Sequence, residues 1–328
     1  MSARILRWGL LSTANINRSV IPPLQHSARN QLVAVASRDK ARADEYAHKW
    51  QIPHTFGSYE ELLNAKDIDV IYNSLPNGLH MEWTIKAAQA GKHVLCEKPI
   101  GVTPAEVEAM TQAARKAGVI VTEAFMYRHH PQTIKVKELV DSGAIGQLRL
   151  IRGSFTFNIA RETDIRLNKN LTGGSIWDVG CYPISYMRYI TGTEPVEVFG
   201  WQATSASGVD ETFVGQLKFG NGIFGQFDSG FRAPFRTHME IVGSRGIITI
   251  PRPFKPEVEG RILLTKGDEV ETITSAREEL YLGEVEDIAD AILEGKSPRI
   301  SLEHSRANVA AIVALLQSAK DGKVVTIN

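Results

Sequence analysis

Cysteine is nearly missing from this chain: Cys96 and Cys181 are its whole complement. Two thiols cannot build a disulfide framework, so the small disulfide-held secreted domains are excluded and a cytoplasmic setting is the expectation. A surplus of either charge is missing too. Lys+Arg and Asp+Glu both count 37, a formal net charge of +0. That leaves no electrostatic footprint of a nucleic acid or a membrane surface, and neither partner is expected. No apolar run is long enough to span a bilayer. The opening "MSARILRWGLLSTANIN" runs from a short apolar segment into a structured pattern and lacks a signal-peptide layout. Internal repeats and low-complexity tracts are lacking. No cluster of His, Cys, Asp and Glu has ligand spacing, so no metal is expected.

What is present is an ordinary globular balance, 43% hydrophobic and 23% charged, over 328 residues, a length that suits two domains. Up to about residue 125, short apolar runs at 6–11, 32–36, 70–75, 93–96 and 119–122 alternate with helix signals. Ser58 to Glu61 and Thr103 to Glu106 fit capping boxes, with Pro104 at a first helical position. Gly91 and Gly118 stand just past helix ends. This alternation predicts a doubly wound parallel sheet over 1–125. After about residue 145 the texture changes, and the second domain is set at 126–328. Runs rich in Val, Ile, Phe and Thr follow one another at 147–159, 196–205, 212–219, 223–231, 238–242, 247–250, 261–265 and 270–274. Asn221–Gly222 is a hairpin signal, and "GSRGI" and "TKGDEV" read as turns. These runs predict an α+β domain with a large, mainly antiparallel sheet. A last helix is expected from a capping-competent Ser301 to Asp321.

The turn after the first strand, "WGLLSTANI", lacks most of the glycines of a dinucleotide-binding G-x-G-x-x-G: only Gly9 stands, with Ser12 and Ala14 at the later small positions. Alone it is equally an ordinary strand-to-helix turn. Its small residues, Ser12, Thr13, Ala14, Asn15 and Ile16, still leave room for a pyrophosphate at a helix N-terminus. Pro22–Pro23 is expected to end or kink that helix early. The second strand ends in Ser37–Arg38, close to where an NAD enzyme places its ribose-binding acid. A carboxylate repels a 2′-phosphate, whereas a hydroxyl and a guanidinium bind one, so NADP is expected over NAD. The alternative is that Arg38 merely opens a solvated helix. In "NSLPNGLH", Leu75, Pro76 and Asn77 follow a strand end, where such sheets bind ligands, and His80 opens the next helix.

"LCEKPIG" follows the next strand. Lys98 beside a nicotinamide can hold a substrate oxygen and exchange its proton, provided its unperturbed pKa of about 10.4 falls. Pro99 is a candidate for a cis peptide bond. From these residues alone a solvated surface turn is the simpler reading. "GGSIWDVGCYPISY" sets Asp178 and Tyr182 four residues apart on a helix, and so on one face. A carboxylate and a phenol there could bind a polyol and relay a proton. They could equally be a cap and a core side chain.

Taken together, "WGLLSTANI", "ASRD", "LPNGLH", "CEKP", "EAFMYRHHPQ" and "GGSIWDVGCYP" resemble the glucose–fructose oxidoreductase/inositol dehydrogenase/rhizopine-catabolism (Gfo/Idh/MocA) family, in its order and over nearly the whole chain. The likeness is greatest to the branch of NADP-dependent xylose dehydrogenases, dimeric dihydrodiol dehydrogenases, glucose–fructose oxidoreductase and deoxysugar ketoreductases. The resemblance implies an N-terminal Rossmann domain and a C-terminal open-faced sheet that makes a homo-oligomer, dimer or tetramer. It implies catalysis by Lys98, Tyr182 and Asp178, with Tyr182 where many relatives carry histidine. It places Glu97 beside the nicotinamide ribose, Arg128 and Arg166 along the cofactor or substrate pocket, and Trp177 at the substrate; His129 and His130 are read as structural. The expected function is hydride transfer between NADP and a secondary alcohol or carbonyl of a sugar or cyclic polyol. The alternatives are a sugar–sugar oxidoreductase with tightly held NADP and a non-catalytic NADP(H)-sensing regulator.

Overall fold

The computed structural model describes residues 4–327. It divides into two compact units, one of residues 4–126 and 281–306, the other of 127–280 and 307–327. The sequence boundary at 125/126 falls one residue early. The segment 281–306, which the sequence reading leaves in the second domain, clusters with the first.

The first unit alternates β1 (Leu6–Leu11), α1 (Asn17–His26), β2 (Asn30–Ala36), α2 (Lys40–Trp50), β3 (His54–Phe56), α3 (Tyr59–Asn64), β4 (Val70–Asn73), α4 (His80–Gln89), β5 (His93–Glu97), α5 (Pro104–Ala117) and β6 (Val121–Ala124). Its strands form one sheet in the order β3-β2-β1-β4-β5-β6, parallel throughout. Both faces are covered, so the strands read as continuous apolar runs instead of alternating. Ser58 Oγ accepts the Glu61 amide at 3.1 Å, and Thr103 Oγ1 accepts that of Glu106 at 3.2 Å, as the capping boxes predict. In one respect the prediction fails: α1 runs through Pro22 and Pro23 to His26. Each proline removes one main-chain donor, but burial of Val20, Ile21, Pro23 and Leu24 on one side holds the turn in place.

The second unit comprises α6 (Pro131–Asp141), β7 (Leu148–Asn158), α7 (Cys181–Thr191), β8 (Pro195–Thr204), β9 (Asp210–Phe219), β10 (Phe224–Gly230), β11 (Arg232–Gly243), β12 (Ile247–Ile250), β13 (Glu259–Lys266) and β14 (Glu269–Arg277). The chain then forms α8 (Leu282–Glu294), which belongs to the first unit, α9 (Leu302–Asp321), which passes from first to second, and β15 (Val325–Thr326). The nine strands order as β14-β13-β12-β11-β7-β10-β9-β8-β15. Among the described residues of this sheet, only the β7–β10 pair is parallel. Along β9 burial alternates residue by residue, so one face is covered and the other open. The covered face lies under α7 and α9. A Cβ at Gly153 would stand 2.8 Å from Pro183 of α7, and the Gly200 amide donates to Ser318 Oγ of α9 at 3.1 Å. Among the described residues no helix is long and apolar enough to cross a membrane.

Candidate active site

In the first unit, the expected residues line the carboxyl ends of the parallel strands. Gly9 lies inside β1, where a Cβ would meet Leu62 at 2.8 Å, so it makes room for α3. The turn itself rests on Ser12, whose φ of 91° is in the region glycine favours. Four hydrogen bonds hold it there. Its amide donates to Ala36 O (3.0 Å) and its carbonyl accepts Asn17 Nδ2 (2.9 Å). Its Oγ lies 3.2 Å from Ser74 Oγ and accepts the Ala14 amide at 3.2 Å. The glycine-like geometry is thus kept without glycine. Beyond Thr13, Ala14 and Asn15, α1 opens at Ile16 with no side-chain cap and no acidic residue in its first turn. That leaves a helix N-terminus suited to an anion.

At the end of β2, Ser37 is buried and its Oγ accepts the Asp39 amide at 3.2 Å. Asp39 caps α2, leaving Arg38 exposed just before it. Burial raises the Tyr59 phenol, while the charges of Arg38 and Arg42 pull it down, so both guanidinium groups stand near one ring. The sequence reading missed Arg42, because its spacing from Arg38 is that of any solvated helix.

At the ends of β4 and β5, His80 is buried, with Nδ1 2.8 Å from Pro99 O and Nε2 2.7 Å from Leu75 O. It fastens the loop holding Leu75, Pro76 and Asn77 to the one that follows Lys98. Burial lowers its pKa, and the Lys98 charge adds to that. The Lys98–Pro99 peptide is cis. Lys98 itself is half-buried. Glu97 accepts the Tyr72 hydroxyl on Oε1 and the Lys98 amide on Oε2 (3.2 Å). Around this bond lies a group with no sequence signal. Glu284, in the first turn of α8, is buried with neither carboxyl oxygen hydrogen-bonded among the described residues. Burial, then the charges of Glu97 and Asp287, push its pKa well up.

In the second unit, Ile176–Gly180 forms a turn of π-helix that feeds α7, so the stretch carrying Asp178 and Tyr182 is not the uniform α-helix expected. Such insertions recur at functional sites. Asp178 Oδ2 accepts Arg166 Nε at 2.9 Å, and Arg166 also reaches Asp164 at 3.3 Å. Asp178 raises the Arg166 pKa. The expected pocket residue Arg166 is therefore the partner of the expected acid. Tyr182 is buried among Tyr127, Phe155 and Phe254, ring centroids 5.7, 5.3 and 5.4 Å away. Trp177 is buried beside Gly174. Arg128 is buried with its guanidinium 3.8 Å above the Tyr189 ring. His130 caps α6, accepting the Gln132 amide at 3.1 Å, the structural role expected of it.

A parallel sheet bearing a small-residue turn, an uncapped helix start and a pair of cations along its carboxyl edge is a dinucleotide-binding fold. Residues 6–125 match the family described as "Oxidoreductase family, NAD-binding Rossmann fold", and residues 133–249 match "GFO/IDH/MocA C-terminal domain". The chain belongs to the GFO/IDH/MocA family of oxidoreductases. It is 36% identical over 328 residues to D-xylose 1-dehydrogenase (NADP(+)) 2 of Haloferax volcanii, covering 98% of this chain and 100% of the relative. Among solved structures it resembles the aldose–aldose oxidoreductase from Caulobacter crescentus complexed with glycerol (TM-score 0.92, 26% identity, 98% and 100% of the two chains). It also resembles a 3-ketoreductase from Actinomadura kijaniata in complex with NADP and TDP-benzene (TM-score 0.91, 28% identity, 96% and 98%).

Proposed function

We propose that the chain is an NADP-dependent oxidoreductase acting on a secondary alcohol or carbonyl of a sugar or related cyclic polyol. The observation that carries this reading is the edge of the parallel sheet. Lys98 directly follows β5, on the same edge as the Ser12 turn and the Ser37–Arg38–Arg42 group. The residues fit the cofactor: the turn and the start of α1 suit a pyrophosphate, and two guanidinium groups suit a 2′-phosphate. Bound there, the nicotinamide supplies or accepts the hydride. The Lys98 ammonium or the Tyr182 hydroxyl is proposed as the group that moves the proton of the reacting oxygen. Asp178, oriented by Arg166, accepts a hydrogen bond from a substrate hydroxyl, with Trp177 beside it. The names of the Haloferax and Actinomadura proteins support NADP and a sugar-like substrate. Both cysteines are buried and outside any disulfide, which supports a cytoplasmic setting. Similarity to an aldose–aldose oxidoreductase favours a second reading, in which NADP stays bound and shuttles hydride between two sugars.

Absorbance at 340 nm across aldoses, anhydroketoses and cyclic diols, with NADP⁺ and NAD⁺ and in reverse with their reduced forms, tests the proposal. Turnover of at least one sugar is expected, with kcat/KM at least about tenfold higher for NADP⁺, and Arg38→Ala with Arg42→Ala removes that preference. Silence across the panel in both directions contradicts the reading. Cofactor retained through dialysis favours the shuttle.

A further inference from the structure

Asp210 opens β9 and belongs to none of the motifs. It is 4% exposed, and Ser175 and Ser229 beside it are 0% exposed. Its Oδ2 accepts the Ser175 hydroxyl at 2.7 Å and the Ile176 amide at 2.8 Å, and Ser175 Oγ lies 3.0 Å from Ser229 Oγ on β10. The helical run 176–191 has no side-chain cap from its own flanking residue. A carboxylate 34 positions away in sequence does what an N-cap Asp or Ser does locally. The backbone is drawn in against it: Gly174 has φ +124°, and a Cβ there would stand 2.3 Å from Asp210 Oδ1. The Asp178 amide then closes onto Gly174 O at 3.1 Å. The start of this turn is thereby pinned to the sheet at Ile176, two residues before Asp178 and six before Tyr182.

We propose that Asp210 is a positioning residue for the reaction: it fixes where, and at what rotation, the turn presenting Asp178 and Tyr182 begins. The inference rests on the reading of those two residues as the substrate-facing pair. Displacement of a reacting group by about 1 Å costs on the order of 100-fold in rate, so the anchor acts on kcat.

The test compares Asp210→Ala, Asp210→Asn and Ser175→Ala in the full chain. Asp210→Ala is expected to lower kcat by about 10- to 100-fold, with sugar KM changed less than about threefold and NADPH Kd within about twofold. Asp210→Asn keeps an acceptor oxygen and is expected to recover most of that loss. Ser175→Ala removes the hydroxyl that bonds both Asp210 and Ser229 but leaves the Ile176 amide on Asp210; it is expected to cost about two- to fivefold, which keeps the test open if Asp210→Ala does not fold. Amide hydrogen exchange over residues 174–182 is the readout independent of turnover: protection falls in Asp210→Ala and returns in Asp210→Asn. Unchanged exchange there, or a folded Asp210→Ala with wild-type kcat, overturns the positioning role. A wild type inactive across the sugar panel, with exchange responding as described, overturns the functional reading instead.

Discussion

Ser12 holds a backbone conformation that costs a non-glycine residue about 1–3 kcal/mol, and its four hydrogen bonds offset that cost. A glycine motif read by residue type alone misses such a turn, because what the turn needs is the dihedral angle. Glu284 is the opposite case, a polar residue buried without compensation. Its folded pKa is raised above the unfolded value by burial first and by Glu97 second, with Asp287 adding to it and the Tyr72 and Tyr281 phenols nearby. The folded state therefore holds this proton more tightly than the unfolded one. Its contribution to stability is full below the unfolded carboxyl range and is lost as pH rises through the raised pKa. Glu284→Gln removes that loss. Its melting temperature relative to wild type is expected to rise from pH 5 to pH 8, as scanning calorimetry can show, and a gap that narrows over that range contradicts the assignment.

The elements were legible where the pattern is local. The parallel strands, the two capping boxes, the Asn221–Gly222 hairpin and a last helix starting beside Ser301 all follow from short-range signals. Elements fixed by distant partners were not. α8 carried no expectation, and only burial of Val285, Ile288 and Ala289 against Leu6, Trp8 and Val20 shows why it forms where it does. β11 begins at Arg232, well before its apolar run, because Pro234 sits in a stretch where the register with β7 shifts. Asp210 is illegible for the same reason, since its partners lie on another element. The open face of the nine-stranded sheet shows what such patterning leaves over: Trp201 pairs directly with Val214, and Phe224 lies on the adjoining strand, all exposed. We propose that a second copy of the chain covers this face. Sedimentation is expected to give a multiple of 36.2 kDa that falls on Trp201→Glu, and a wild-type monomer at micromolar concentration contradicts it.

At the scale of the molecule, the chain completes a parallel six-stranded unit, builds a nine-stranded one, and returns through 281–306 to the first. That return was invisible in the sequence because the texture changes once, after about residue 145, while the chain crosses three times. The motif "LCEKPIG" reads differently once the sheet is assembled: Lys98 is half-buried in the bend directly after β5, with Glu97 tied to Tyr72 and the loop after it tied by His80. Lys98 is proposed to carry the reaction at this edge. Stopped-flow hydride transfer by Lys98→Met, with NADPH affinity measured alongside by fluorescence, tests it most directly. A rate lower by at least about 100-fold is expected, with NADPH Kd within about twofold of wild type. Wild-type turnover with intact NADPH binding would contradict it.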